Sequence, residues 1–431
     1  MRNILIAMLL CSTAANAQEP WSLEKCINHA IENNISIKQH KNSIEQSEVE
    51  LNTAKMNLLP SVNASASQSW SFGRGLTMDN TYVNRNTSST SFDISANVTL
   101  FAGMQKINTI KARQLNLQAA TADLQRAKED MGINVAQSYL QTLYTAELLQ
   151  VAKRQVELSK NVLEQKQKMV QNGKASESDV AEARATVSRD ELSIVQAEND
   201  YRLSLLDLSQ LLELPSPENF AIEDPDTTAQ LMAIATIEEV YADALRNKAI
   251  IKGDETRIAA AESNVKIAKG GHSPSLSLSG GVGTNYYKTS GYPHDSFSDQ
   301  LDQNLSKYVA LSLNIPIFNR FATRNEVRNA RIQVQSLNLQ LDADKKSLYK
   351  EVQQAYYNAI AAESKYGSSL SAEESAQTAF NLVTKKFDNG KATQTEYNQS
   401  RTQWLKAVAD RIQAKYEYIF RAKILEYYRG A

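Results

Sequence analysis

The tetrapeptide Asn172-Gly173-Lys174-Ala175 returns letter for letter as Asn389-Gly390-Lys391-Ala392, 217 positions later. Each copy lies between two long segments with a seven-residue apolar repeat. A glycine after a helical run supplies the left-handed residue that ends a helix, and a Ser or Thr just beyond it can cap the next one. Each copy therefore reads as the tip of a helical hairpin, and the rest of the chain can be placed relative to the two tips.

Outward from the first tip, a helical pattern begins at about Ala102 and carries Ile110, Leu117, Leu124 and Met131 in heptad register. Its roughly 70 residues, at ~1.5 Å each, span roughly 105 Å, far beyond an ordinary globular helix. Beyond the tip Val180, Val187, Ile194, Tyr201 and Leu208 recur every seven residues until Leu214-Pro215-Ser216-Pro217 ends the run. Upstream, Ser22 to Leu59 reads as one helical segment with Ile37, Ile44, Leu51 and Leu58 in register. Pro60 stops it, because proline cannot donate to the helix and pushes the residue before it to extended geometry.

Between these helical segments the period is two. Val62, Ala64, Ala66, Trp70 and Phe72 alternate with Ser61, Asn63, Ser65, Ser67, Ser69 and Ser71, as in a strand with one apolar and one small polar face. A loop rich in Gly, Asn and Thr follows from Gly73 to about Ser89. A second strand then places Phe92, Ile94, Ala96, Val98 and Leu100 on one face.

The plan repeats. Adding 214 carries Glu24, Ala30, Asn33, Lys55 and Pro60 to Glu238, Ala244, Asn247, Lys269 and Pro274. Adding 217 carries Phe101, Gln137, Tyr139 and Arg184 to Phe318, Gln354, Tyr356 and Arg401. Val327, Val334, Leu341 and Leu348 repeat the long-helix seam. The chain thus divides into a signal peptide (1–17), a first structural repeat (18–213, strands about 61–72 and 90–101, tip 172–175), a linker (214–235) and a second repeat (236–431, strands about 275–287 and 305–318, tip 389–392).

The signal reading rests on Arg2, the apolar run Ile4 to Leu10 and the cleavage pattern Ala15-Asn16-Ala17. The 47 Lys+Arg against 48 Asp+Glu offer no basic excess for nucleic acid. Cleavage leaves Cys26 without an intramolecular disulfide partner. The mean hydropathy of −0.43 argues against helical membrane spans but not against barrel strands, which need only about 9–11 alternating residues. No metal-ligand spacing involves His29, His40, His272 or His294, and no nucleophile elbow or phosphate loop occurs.

Four strands cannot close a barrel, and open edges in lipid would strand unpaired backbone groups. The sheet must be shared with further copies of the chain. The serine-rich inner face is too small to fill a barrel interior, which favours twelve strands from three copies over eight from two. Trp70, Phe72, Tyr286, Tyr287 and Tyr308 stand where an aromatic girdle is expected.

The duplicated hairpins, the strand entries Leu59-Pro60-Ser61 and Ser273-Pro274-Ser275, and the two Asn-Gly-Lys-Ala tips resemble the TolC family of outer-membrane efflux proteins over essentially the whole mature chain. The resemblance implies a mainly α fold with β-hairpins: a homotrimer whose long helical hairpins form an α-barrel continued into a 12-stranded outer-membrane β-barrel. It implies a passive exit duct for a tripartite efflux or type I secretion system; the sequence offers no catalytic constellation, so neither enzyme activity nor a cofactor is expected. A periplasmic adaptor (membrane fusion protein) would meet the tips, and an inner-membrane pump of the RND or ABC type would supply the energy. The alternative is a structural periplasmic coiled-coil or adaptor protein without a pore.

By the same resemblance, Glu396 falls where an acidic ring narrows the closed entrance, and Gln399 stands where a second acid is usual. Thr393-Gln394-Thr395-Glu396 also fits a capping box, in which the acid reaches back to the cap amide. Asp179, the first-half counterpart, sits in the equally cap-like Ser176-Glu177-Ser178-Asp179, and capping is the preferred reading there. Phe387 matches an aromatic that contacts this acid in the family, while Ala392 replaces its basic partner. Asn172, Gly173, Lys174, Ala175, Asn389, Gly390, Lys391 and Ala392 form the expected adaptor-docking tips.

Overall fold

The computed structural model describes residues 20–76, 80–217, 220–223 and 235–430. The signal peptide read at 1–17 and much of the linker read at 214–235 lie outside the described residues. The described elements in chain order are α1 (Leu23–Asn33), α2 (Ile35–Met56), β1 (Ser61–Ser71), β2 (Arg74–Leu76), β3 (Tyr82–Asn84), β4 (Thr87–Ala102), α3 (Gln105–Gln171), α4 (Glu177–Leu211), α5 (Ile237–Asn247), α6 (Ala249–Gly270), β5 (Ser275–Thr289), α7 (Phe297–Gln303), β6 (Ser306–Asn314), α8 (Ala322–Asp388) and α9 (Gln394–Arg429). They divide into two compact units. One takes residues 42–123 and 249–344; the other takes the described parts of 1–41, 124–248 and 345–431.

The first of these units holds a four-stranded antiparallel sheet in the order β1-β4-β5-β6. Residues opposite one another in register share a face. Val62 pairs with Ala96, Ala64 with Ile94, Ile94 with Val282, Val98 with Leu278, and Leu278 with Leu311, so the apolar side is continuous across all four strands. The reverse side pairs Ser67 with Ser91, Ser65 with Asp93, Asn97 with Ser279, and Ser277 with Ser312. A register shift between Thr99 and Phe101 brings Phe101 opposite Leu276, as a bulge does.

The sheet corrects the girdle. Tyr286 lies on the apolar side, paired with Thr90, but its neighbour Tyr287 must point the other way and pairs with Ser89. Tyr308 also lies on the polar side, opposite Gly281, where a Cβ would come within 2.7 Å of the tyrosine ring. Glycine is what lets that ring lie on the strand. The loop read at 73–89 contains the small β2–β3 hairpin, and α7 interrupts the span between β5 and β6, with Ser296 accepting from the Asp299 amide as its cap.

The second unit is helical. Its core gathers Cys26 and Ala30 of α1, Val135, Tyr139, Leu140 and Leu143 of α3, Leu205 and Leu208 of α4, and Val408, Ile412 and Tyr416 of α9. The described part of the linker joins this core. Phe220 is buried, Trp21 N–H donates to Ala221 O, and the Tyr139 hydroxyl donates to Glu223 O at 2.6 Å.

The segment read as one helix from Ser22 to Leu59 is two helices. The break falls at Asn34, in extended geometry (φ −61°, ψ 136°). Its side chain explains the break: Oδ1 accepts from the Ser36 amide at 2.9 Å, and Nδ2 donates to Leu211 O at the end of α4. A short amide side chain thereby substitutes for helical backbone bonds. The corresponding break falls at Lys248 (φ −67°, ψ 128°), where the preceding Asn247 donates to Arg429 O at the end of α9.

Candidate functional site at the helical tips

Both tips belong to the helical unit, and both are built by the same local rules. At the first, Gly173 adopts φ +69°, its N–H donates to Val170 O at 2.9 Å, and Lys174 N–H donates to Met169 O at 2.8 Å. At the second, Gly390 adopts φ +68°, donating to Phe387 O at 3.0 Å, while Lys391 donates to Lys386 O at 2.7 Å. This six-to-one and five-to-two pattern satisfies the last carbonyls of α3 and α8 through a left-handed glycine. Asn172 and Asn389 add side-chain bonds to Lys168 O and Lys385 O. Lys174 and Lys391 are exposed, and Ala175 and Ala392 are half-buried.

The helices that leave the tips start on reciprocal caps. The Ser176 amide donates to Asp179 Oδ2 at 2.9 Å while the Asp179 amide donates to Ser176 Oγ at 3.3 Å. Thr393 and Glu396 repeat this at 2.7 and 3.2 Å. Backbone and hydroxyl donation from Thr393 holds the Glu396 carboxyl below the usual carboxylate range, and Ser176 does the same for Asp179. Within one chain both acids therefore cap their helices. Glu396 is exposed, Gln399 is exposed three residues further along α9, and Asp179 is half-buried.

Phe387 packs against Tyr397 of α9 and Lys166 of α3. Its ring stacks on Tyr397 with centroids 4.7 Å apart, and Lys166 of α3 lies 4.7 Å from its centroid. Lys166 also helps to lower the Asp179 pKa. The same cation thus stands close to both hairpins. Phe380 packs at a tilt against Tyr397, centroids 5.4 Å apart, and stacks on Trp404 at 5.1 Å.

Deeper in the unit, Arg401 of α9 meets Asp190 of α4, Nη1 to Oδ2 at 3.2 Å, with side chains 7% and 6% exposed. Gln155 of α3 donates to Asp190 Oδ1 at 2.6 Å. Asp190 Oδ2 lies within ion-pair distance but lacks hydrogen-bond geometry, and Arg401 Nε has no partner. The sequence reading missed this pair: Arg401 was legible only as the repeat partner of Arg184, which is exposed. Among the described residues no group of three His, Cys, Asp or Glu side chains is set to hold a metal, and no helix is long and apolar enough to cross a membrane.

Comparison with known proteins completes the picture. The chain matches the model of a family described as "Outer membrane efflux protein" over residues 26–213 and 240–426. It is 26% identical to Protein CyaE of Bordetella pertussis over 266 residues, which cover 60% of this chain and 55% of that one. It is 24% identical to Outer membrane protein TolC of Escherichia coli over 387 residues, covering 86% and 74%. The match thus spans little more than half the length of CyaE. Among solved structures, the outer membrane protein VceC of Vibrio cholerae superposes with a TM-score of 0.77 at 16% identity, over 95% of this chain and 96% of that one, a likeness of fold.

Proposed function

Because the chain belongs to the outer membrane efflux protein family, we propose that it serves as the outer-membrane duct of a tripartite efflux or type I secretion system, a homotrimer that passes cargo from periplasm to exterior. The family is one of transport channels, not of enzymes. The observation that carries the reading is the sheet: four strands with an apolar and a polar side and, among the described residues, two unpaired edges, β1 and β6. β1 and β6 run antiparallel, so β6 of one copy can pair with β1 of the next. Three copies close twelve strands with the serine-rich side around a wet lumen.

The helical unit supports assembly as well. Leu192, Val195, Leu203 and Leu206 of α4 remain 46–68% exposed on a single chain, an apolar stripe that a neighbouring copy would cover. In this reading the paired Asn-Gly-Lys-Ala tips dock a periplasmic adaptor. Glu396, Gln399 and Asp179 line the entrance, and an inner-membrane pump of the RND or ABC type supplies the energy. A periplasmic coiled-coil protein without a pore would have no use for the apolar side of the sheet, with Trp70 at 65% and Val309 at 80% exposure.

Native mass measurement in detergent should give a trimer that conducts in planar bilayers; a non-conducting monomer would remove the reading. Glu396→Gln should change the cation preference or the cation block of the trimer. An unchanged profile leaves Glu396 a helix cap only.

A further inference from the structure

A group of cations stands where the sheet hands over to the helix that follows it. Beyond β6, Ile317 and Phe318 are 94% and 72% exposed, and the chain then turns through Arg320 and Phe321, both at positive φ, into α8. Arg324, Arg328 and Arg331 follow at spacings of four and three, which places them on one side of the helix. With Phe321 and with His272 from the turn after α6 they line an open cleft of about 570 Å³. All three arginines are exposed. Among the described residues none of them forms an ion pair with a carboxylate.

Three guanidinium groups on one helix face repel one another unless an anion sits among them. The planar, five-donor fork of arginine matches phosphate oxygens in pairs, and a ring N–H of His272 can add a further donor. The surroundings say which phosphate. The Phe318 ring stands edge-on to Phe321 at 5.6 Å, and the Arg324 guanidinium lies 5.7 Å from the Phe321 ring. The cations therefore border directly on the exposed apolar belt that continues from β6. A fitting ligand carries a phosphate next to hydrocarbon.

We propose that His272, Arg324, Arg328 and Arg331 form a binding site for the phosphate headgroup of an anionic phospholipid at the periplasmic edge of the membrane, with Phe318 and Phe321 against its acyl chains. The site rests on the outer-membrane placement proposed above. It fixes the depth of the sheet in the bilayer, since charge at headgroup level and apolar side chains in the hydrocarbon each resist displacement.

The test uses the full chain in nanodiscs of mixed phosphatidylglycerol and phosphatidylcholine, with retained lipid counted by native mass spectrometry. Wild type should retain phosphatidylglycerol in preference, and Arg324→Gln/Arg328→Gln/Arg331→Gln should lose that preference by about five-fold per arginine removed. The triple lysine variant, which keeps charge but not the fork, should fall between them. Equal retention of the two lipids by wild type overturns the proposal whatever the variants do, as does displacement of the retained lipid by millimolar inorganic phosphate. Bilayer conductance is measured in parallel. A conducting wild type without lipid preference sinks the site alone, whereas a non-conducting one sinks the duct reading.

Discussion

The two helical hairpins share a turn but not the packing directly behind it. Gly173 and Gly390, with their caps Ser176–Asp179 and Thr393–Glu396, repeat one another bond for bond. Behind the second turn stands the aromatic stack of Phe380, Phe387, Tyr397 and Trp404. The residues 217 positions earlier are Leu163, Val170, Val180 and Val187. The turn depends on a handful of adjacent residues, so it survives in both copies. The packing behind it depends on neighbours from other helices, so it was free to diverge. The second hairpin carries rings that stack and attract the Lys166 cation; the first carries aliphatic side chains that only fill space.

The sharpest contrast is between Arg401 and Arg184, the same letter in two environments. Arg401→Met leaves the buried Asp190 carboxylate without its cation, held only by Gln155, and should cost about 3–5 kcal/mol, read as a lowered unfolding midpoint in detergent. Arg184→Met should stay within about 0.5 kcal/mol. Adding Asp190→Asn to the first variant should recover much of the loss, because the uncompensated charge is then gone. Equal effects at the two arginines would break the contrast.

Tyr397→Val gives the second hairpin the first one's residue. The loss of a buried ring that stacks on Phe387 and packs at a tilt against Phe380 should cost about 2–3 kcal/mol and loosen the Phe387 ring over which Lys166 lies. A cost below 1 kcal/mol would mean that the stack is mere filling.

The glycines should behave alike. An added Cβ meets nothing within 4 Å at either Gly173 or Gly390, so Gly→Ala at each should cost only the left-handed backbone, about 1–2 kcal/mol. Unequal costs would show that the turns are not equivalent.

The smallest effect is the pH dependence of the caps. Asp179 and Glu396 both have depressed pKa values in the fold because the cap hydroxyl and amide donate to the ionised carboxylate. A depressed value means stabilisation that is fully present above the ordinary carboxylate pKa and is lost as the pH falls through the folded-state value. The variant Asp179→Asn/Glu396→Gln should therefore lose less stability than wild type on acidification. An identical acid profile would show that the caps do not carry this dependence.

The fold was legible because it is periodic. Heptads located the helices to either side of each tip, and alternation located β1, β4, β5 and β6. The glycines with the hydroxyl residues beyond them located the turns and their caps. Each of these features is set by backbone sterics and by residues within a turn or two of one another. Even the girdle error was correctable from the chain, since the adjacent Tyr286 and Tyr287 cannot share a face of one strand. The break at Asn34 was not legible, because the Asn34 side chain takes its partners partly from residue 211. Nor was the pairing of Asp190 with Arg401, which are 211 residues apart, or the placing of Lys166 close to both hairpins. Those depend on which helix faces meet. Every heptad-patterned helix offers a similar apolar seam, so only the folded arrangement selects one meeting of faces from the many that the pattern allows.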